Sequence, residues 1–311
     1  MSRKLLLTLA STLSLTIIFL SSCTKEVQID IPGYKEQLVV DGFIETGLPA
    51  VVLLSKTNNI YAGTNIQNYI DGFVSGATVI VSNGTITDTL LEVCTNNLPP
   101  GTEETVAAFF GLPVEQIVNL NLCFYVSDQL LGEVGKTYDL TIVDEGNTYT
   151  SQTRILEPVA LDSVYWKQEA GAPGYGFCWS QLSDPPATGN AYRWDVKYIS
   201  DVSFSKPFGP YSDDRFYNGL TFDFPNPNPM SFNDQTIAPE VRGYFKQGDT
   251  LVVRLSTIGQ KEFQFFDKKY NQIYSGGNPF STPVNIPSNI IGGALGIWAG
   301  YSPSLDTLIC Q

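Results

Sequence analysis

Histidine is absent from all 311 residues. That removes the commonest general base and the usual transition-metal ligand, and with them every Ser-His or Cys-His nucleophile arrangement. Positive charge is scarce too: 18 Lys and Arg face 31 Asp and Glu, for a net charge of −13. A chain this acidic has no basic patch with which to displace counterions from phosphates, which excludes nucleic acid as a partner. The same charge works against electrostatic adhesion to an anionic leaflet. Long hydrophobic runs are also lacking. Beyond the first two dozen residues no stretch has the length or apolarity of a membrane-spanning helix.

The N-terminus carries the clearest signal. Arg3 and Lys4 give a short positive start, and Leu5 to Leu20 is apolar apart from Ser, Thr and Ala. Leu20-Ser21-Ser22-Cys23 then places small residues before a cysteine. This is the layout of a secretory signal peptide, and the cysteine at the cut makes it resemble a bacterial lipobox. The expectation is a signal peptide over 1–22, acylation of Cys23 and a polar tether over 23–34. Cleavage removes Arg3 and Lys4 and no acid, so the mature chain becomes more negative by two charges. Acyl chains contribute about 0.8 kcal/mol per buried CH₂, so the lipid, and not the protein surface, would hold the chain at the membrane.

The body reads as mainly β. Aromatic residues make up 12%, Gly and Pro number 27 and 19, and Met occurs twice; with many short alternating segments this is the composition of an all-β protein. Strands are expected at Gln37–Ile44, Ala50–Ser55, Ala77–Val81, Thr85–Leu90, Tyr138–Val143 and Tyr149–Ile155. Asn83-Gly84 is a hairpin signal because both residues tolerate positive φ. Residues 101–118 predict one or two short helices, with Glu103 and Glu104 near a helix N-terminus. A boundary is placed at Glu157, giving two β-sandwich-like domains, 35–157 and 158–311. In the second, Tyr192, Trp194, Val196 and Tyr198 share one strand face and Arg193, Asp195 and Lys197 the other. Residues 200–235, rich in Asp, Asn and Pro, read as long loops, and strands resume at Glu240–Phe245 and Thr250–Leu255. Phe263, Phe266, Tyr270 and Ile273 predict an amphipathic helix, and Gly292–Tyr301 a glycine-containing core strand.

Besides Cys23, four cysteines remain: Cys94, Cys123, Cys178 and Cys310. An exported chain permits disulfides, with three connectivities. Cys94 and Cys123 bracket one insertion and are the favoured pair. Cys178 is left as either a buried thiol or a partner of Cys310.

Ordered motifs along the chain resemble a known family. They are Leu38-Val39-Val40-Asp41-Gly42, Ser75-Gly76-Ala77-Thr78-Val79, Gly132-Glu133-Val134-Gly135-Lys136-Thr137-Tyr138-Asp139-Leu140 and Leu161-Asp162-Ser163-Val164. Asn278-Pro279-Phe280-Ser281, Ser288-Asn289-Ile290, and Gly292-Gly293 running into Gly296-Ile297-Trp298 complete the set. Together they resemble the Bacteroidetes lipoprotein family called domain of unknown function 4249. That resemblance implies an exported lipoprotein whose gene neighbours TonB-dependent receptors. It also implies an N-terminal half similar to carboxypeptidase-regulatory-like sandwiches. The family has no established catalytic residues, so none is carried over. The insertion at 95–122 departs from the family pattern. Thr24-Lys25-Glu26 loosely resembles a surface-export signal.

Candidate sites are few. Asp213, Asp214, Asp201 and Asp223 could supply oxygen ligands for Ca²⁺, but lack EF-type spacing and read as solvated loop acids. Gly171–Gly176 reads as a turn, since no helix or Lys follows it. Tyr211, Phe216, Tyr217, Phe222 and Phe224 could stack on a glycan or anchor a peptide or protein partner, or could pack onto their own sheet. No metal site, cofactor or catalytic residue is expected. The chain is thus expected to be an outer-membrane lipoprotein, on the cell surface or the periplasmic face, and not an enzyme. Its expected role is as accessory partner of an outer-membrane β-barrel, a TonB-dependent transporter, in ligand capture or uptake. The alternative is a structural or assembly component of a larger outer-membrane complex.

Overall fold

A computed structural model describes residues 35–57, 72–232, 234–275 and 285–311. The expected signal peptide and tether, Cys23 and Asn278–Ser281 lie outside the described residues. The described chain is mainly β, with several sheets.

The first half contains β1 (Leu38–Glu45), β2 (Pro49–Lys56), β3 (Thr78–Ser82), β4 (Thr87–Thr89), β5 (Leu91–Cys94), β6 (Cys123–Leu131), β7 (Thr137–Asp144) and β8 (Asn147–Arg154). Two helices, α1 (Glu103–Phe110) and α2 (Val114–Ile117), lie between β5 and β6. The second half contains β9 (Ser163–Gln168), β10 (Tyr175–Ser183), β11 (Ala191–Tyr198), β12 (Tyr211–Asp213), β13 (Thr221–Asn226), β14 (Phe245–Lys246) and β15 (Thr250–Ile258). It ends with α3 (Gln260–Ser275) and β16 (Leu295–Ile309).

The largest sheet has eight strands in the order β12-β11-β15-β16-β1-β2-β6-β5. It therefore draws strands from both sides of Glu157. The link is β16. Its Leu295–Tyr301 portion runs parallel to β1, and its Ser302–Ile309 portion runs antiparallel to β15. The first portion shares a core with the four-stranded sheet β4-β3-β7-β8: Trp298 is packed among Val40, Ile44, Leu54, Tyr138 and Leu140. The second belongs to a core formed with β9, β10, β13 and β14, around Trp194, Val196, Phe245 and Leu255. A third cluster joins α3 to the large sheet through Phe263, Phe265, Ile297, Ala299 and Tyr301.

Two segments differ from the sequence reading. Within 200–235, where loops were expected, the chain forms β12 and β13. Strand β13 lies at a sheet edge beside β10, a place that accepts Pro225 because no ladder hydrogen bond is needed on its outer side. The expected strand at Glu240–Phe245 is instead a 3₁₀ turn over Pro239–Val241, followed by the two residues of β14. Proline opens that turn, and Gly243 at φ 89° ends the extended geometry that a strand requires. The Asn83-Gly84 turn does join β3 to β4, with Gly84 at φ 83° and Asn83 Oδ1 accepting from the N–H groups of Thr85 and Ile86.

Candidate ligand-binding groove

A groove of about 660 Å³ opens on the outer face of the large sheet, near where β16 changes partners. Strand alternation supplies its floor. In β1, Leu38, Val40 and Ile44 turn into the core, so Asp41, Phe43 and Glu45 point the other way. In β11 the same rule puts Arg193, Asp195 and Lys197 opposite Tyr192, Trp194 and Val196. Register then joins the strands: Asp195 stands across from Arg254, Arg193 across from Tyr211, and Glu45 across from Tyr301.

Three covering elements make walls. The insertion helix α1 sits on the outer faces of β2 and β6, where Val106 and Ala107 cluster with Val51, Leu53 and Phe124. Gly111, at φ 66°, ends α1 by returning its N–H to Ala107 and Ala108 carbonyls. Phe109 on α1 approaches Phe43, with ring centroids 6.1 Å apart. Helix α3 supplies Phe266, stacked on Tyr211 at 5.3 Å and 9°, and Tyr270. The segment between β11 and β12 folds back over β11, held by reciprocal hydrogen bonds between Val196 and Ser205 (2.9 and 2.8 Å). That fold-back carries Phe204 and Lys206 into the lining.

The floor is strongly charged. The Asp195 side chain is only 1% exposed and accepts from two guanidinium groups, Arg193 at 3.0 Å and Arg254 at 3.0 Å. Such double pairing is what a buried carboxylate needs to offset its desolvation. Arg254 also reaches Glu45 at 3.7 Å, and Lys269 reaches Asp41 at 3.6 Å. Rings complete the cation contacts: Arg193 lies 5.0 Å from the Tyr301 centroid and Arg254 4.2 Å from that of Phe204. Burial holds the Glu45 carboxyl above its usual range against the pull of Arg254 and Arg193. Burial likewise raises the Tyr211 phenol to about 12.

Lys206 differs from its neighbours. Its ammonium makes no hydrogen bond or ion pair among the described residues. Desolvation of its ammonium and, after that, the nearby Arg193 push its pKa below the ordinary lysine value. Four cations (Arg193, Arg254, Lys206, Lys269) meet three carboxylates (Asp41, Glu45, Asp195) here, which leaves the groove locally positive in an acidic protein.

The residues singled out from sequence scatter. Tyr211 lines the groove. Phe216 stands 89% exposed on the surface. Tyr217, Phe222 and Phe224 pack on one another (4.0, 4.4 and 5.9 Å) and onto the Trp194 core, and do not line the groove. Cys94 and Cys123 are joined by a disulfide that closes the insertion bearing α1. Cys178 and Cys310 are free and buried, and burial raises both thiols to about 12. The loop acids do not gather. Asp213 pairs with Arg215 at 2.7 Å, Asp214 accepts from Gly189 and Asn190, and Asp223 accepts from the Tyr165 hydroxyl. Among the described residues the one potential metal cluster, Glu92, Cys94 and Cys123, has both sulfurs committed to the disulfide.

A family profile described as domain of unknown function (DUF4249) matches residues 24–305. The chain belongs to the DUF4249 family. No curated protein matches it in sequence. The family match begins just after Cys23 and runs through the insertion and every groove element of this DUF4249 chain.

Sequence reasoning missed Arg193, Asp195, Arg254 and Lys206 as a site. A signal for part of it was present: Arg254 interrupts the apolar run Leu251-Val252-Val253 and Leu255, and three charges alternate along β11. Which strand lies beside β11, and what covers its charged face, depends on the fold.

Proposed function

We propose that the protein is a lipid-anchored, non-catalytic capture module of the bacterial outer membrane. In this reading Cys23 carries the lipid, and the body hands a ligand to an outer-membrane β-barrel, a TonB-dependent transporter. The observation that carries the capture role is the groove: aromatic walls around a locally positive floor, in a chain of net charge −13. The address rests on the leader and Cys23, and no described helix is long and apolar enough to cross a membrane. Tethering favours this role physically, because confinement near the barrel raises effective concentration and lets a weak interface suffice. The non-catalytic reading rests on the lack of histidine and on the engagement of the groove carboxylates with cations.

We further read the paired layers as two sandwich-like units, the first similar to carboxypeptidase-regulatory-like domains, joined through β16. The test of function is a mild-detergent pull-down of the tagged, lipidated protein from its own outer membranes, with mass spectrometry of the partners. A stoichiometric TonB-dependent receptor is expected. Recovery of barrel-assembly or secretion components without a receptor would replace this reading with a structural role.

A further inference from the structure

The groove has an uneven chemical make-up. Most of its charged groups are satisfied internally: Asp195 by two arginines, Glu45 by Arg254, Asp41 by Lys269. Five hydroxyls, those of Thr105, Ser203, Tyr211, Tyr270 and Tyr301, also line it, and that of Tyr270 already accepts from the Gly209 N–H. Besides these hydroxyls, what remains open is apolar surface and one unpaired cation. Phe204, Tyr211, Phe266 and Tyr270 offer ring surface. Phe208 and Tyr274 extend that surface onto the lip, 69% and 63% exposed, with centroids 5.7 Å apart. Lys206 alone among the groove cations lacks an anionic partner.

We infer that the groove binds a monoanionic amphiphile: one carboxylate seated against Lys206, with an apolar, ring-bearing body lying along the aromatic wall of α3. One negative charge would balance the single cation in excess. The rings would bury the body in van der Waals contact, with no polar partners required. This rests on the capture role proposed above and adds the class of ligand. A carboxylate of this kind has two sources, a free aryl-substituted organic acid or the C-terminus of a short apolar peptide.

The test is titration calorimetry on the full chain carrying Cys23→Ser, which removes the lipid and leaves every described residue unchanged. One arm uses 3-phenylpropionate and its amide. The other uses the tripeptide Ala-Ala-Phe as free acid and as C-terminal amide. Binding of a free acid, with the matched amide at least about tenfold weaker, is the expected result. Lys206→Gln should lose a similar factor, while Lys246→Gln, an exposed residue of β14 outside the groove, should lose nothing. The arm that binds identifies the source. Equal binding of acid and amide, an unaltered Lys206→Gln, or no binding of either acid would overturn the inference. Recovery of the transporter in the pull-down would still uphold the capture role, so the two failures are distinguishable.

Discussion

Asp195 and Lys206 lie in the same groove and should behave in opposite ways. Asp195 is buried between two guanidinium groups, so Asp195→Ala leaves Arg193 without a carboxylate and Arg254 with only its 3.7 Å contact to Glu45. Breaking a buried pair in this way costs about 3–5 kcal/mol, which denaturant unfolding will register. Lys206 lies at the surface with its ammonium partly desolvated and no ion pair to lose, so Lys206→Gln should leave stability within about 0.5 kcal/mol of the parent. A second residue, Glu262, makes stability depend on pH. Its carboxylate is buried at the start of α3, where it accepts from Thr153 Oγ1 at 2.7 Å, and burial raises its pKa above 4.5 despite that bond. The folded state then holds this proton more tightly than the unfolded chain. Stability from this group is greatest at low pH and is lost as pH rises from 4.5 through the raised folded value. Glu262→Gln should flatten that part of the profile, seen as a smaller Tm difference between about pH 5 and about pH 7.5 than the parent shows.

At the scale of elements, the insertion and the last strand carry the consequences. The Cys94–Cys123 bond closes a loop of 29 residues around α1 and α2. By chain entropy such a closure contributes about 3–4 kcal/mol. Cys94→Ser/Cys123→Ser should therefore lower Tm and increase amide exchange across α1 more than elsewhere, which would loosen the wall carrying Phe109. Strand β16 depends on a glycine. Gly296 sits at φ 112°, and a Cβ there would lie 1.9 Å from the Val40 carbonyl oxygen. Gly296→Ala combines backbone strain with a collision between paired strands, and should destabilise by at least about 2 kcal/mol in thermal or denaturant unfolding. Trp298, two residues on, is fully buried, donates its indole N–H to the Tyr138 carbonyl at 3.0 Å and is bracketed by Asn289.

At the scale of the whole molecule, β16 couples the two halves. One portion completes the core around Trp298 and the other the core around Trp194 and Leu255. Residues 35–157 expressed alone would lack Trp298 and the parallel partner of β1, leaving an unpaired edge of the kind that promotes association. They should fail to give a soluble, cooperatively unfolding fragment. The intact chain should unfold in a single transition by calorimetry, since loss of β16 removes packing from both cores together.

Local chemistry determined much of this protein directly. The β class, the period-2 faces of β1 and β11, the Asn83-Gly84 turn and the helical spacing of α3 follow from side-chain size, charge and spacing, which act over a few residues. Strand β13 was hidden because its Asn and Pro content matches a loop, and only an edge position in a sheet makes that content acceptable. The groove was hidden for a different reason. Its charges come from strands distant in sequence, and alternation says only that Arg193 and Asp195 share a face, not what lies against that face. Tertiary structure decided this by bringing Arg254 opposite Asp195, laying β16 beside β1, and covering the charged face with α1, α3 and the fold-back that bears Lys206. Side-chain alternation is a short-range property, whereas strand partnership is set by where whole apolar faces can be buried together.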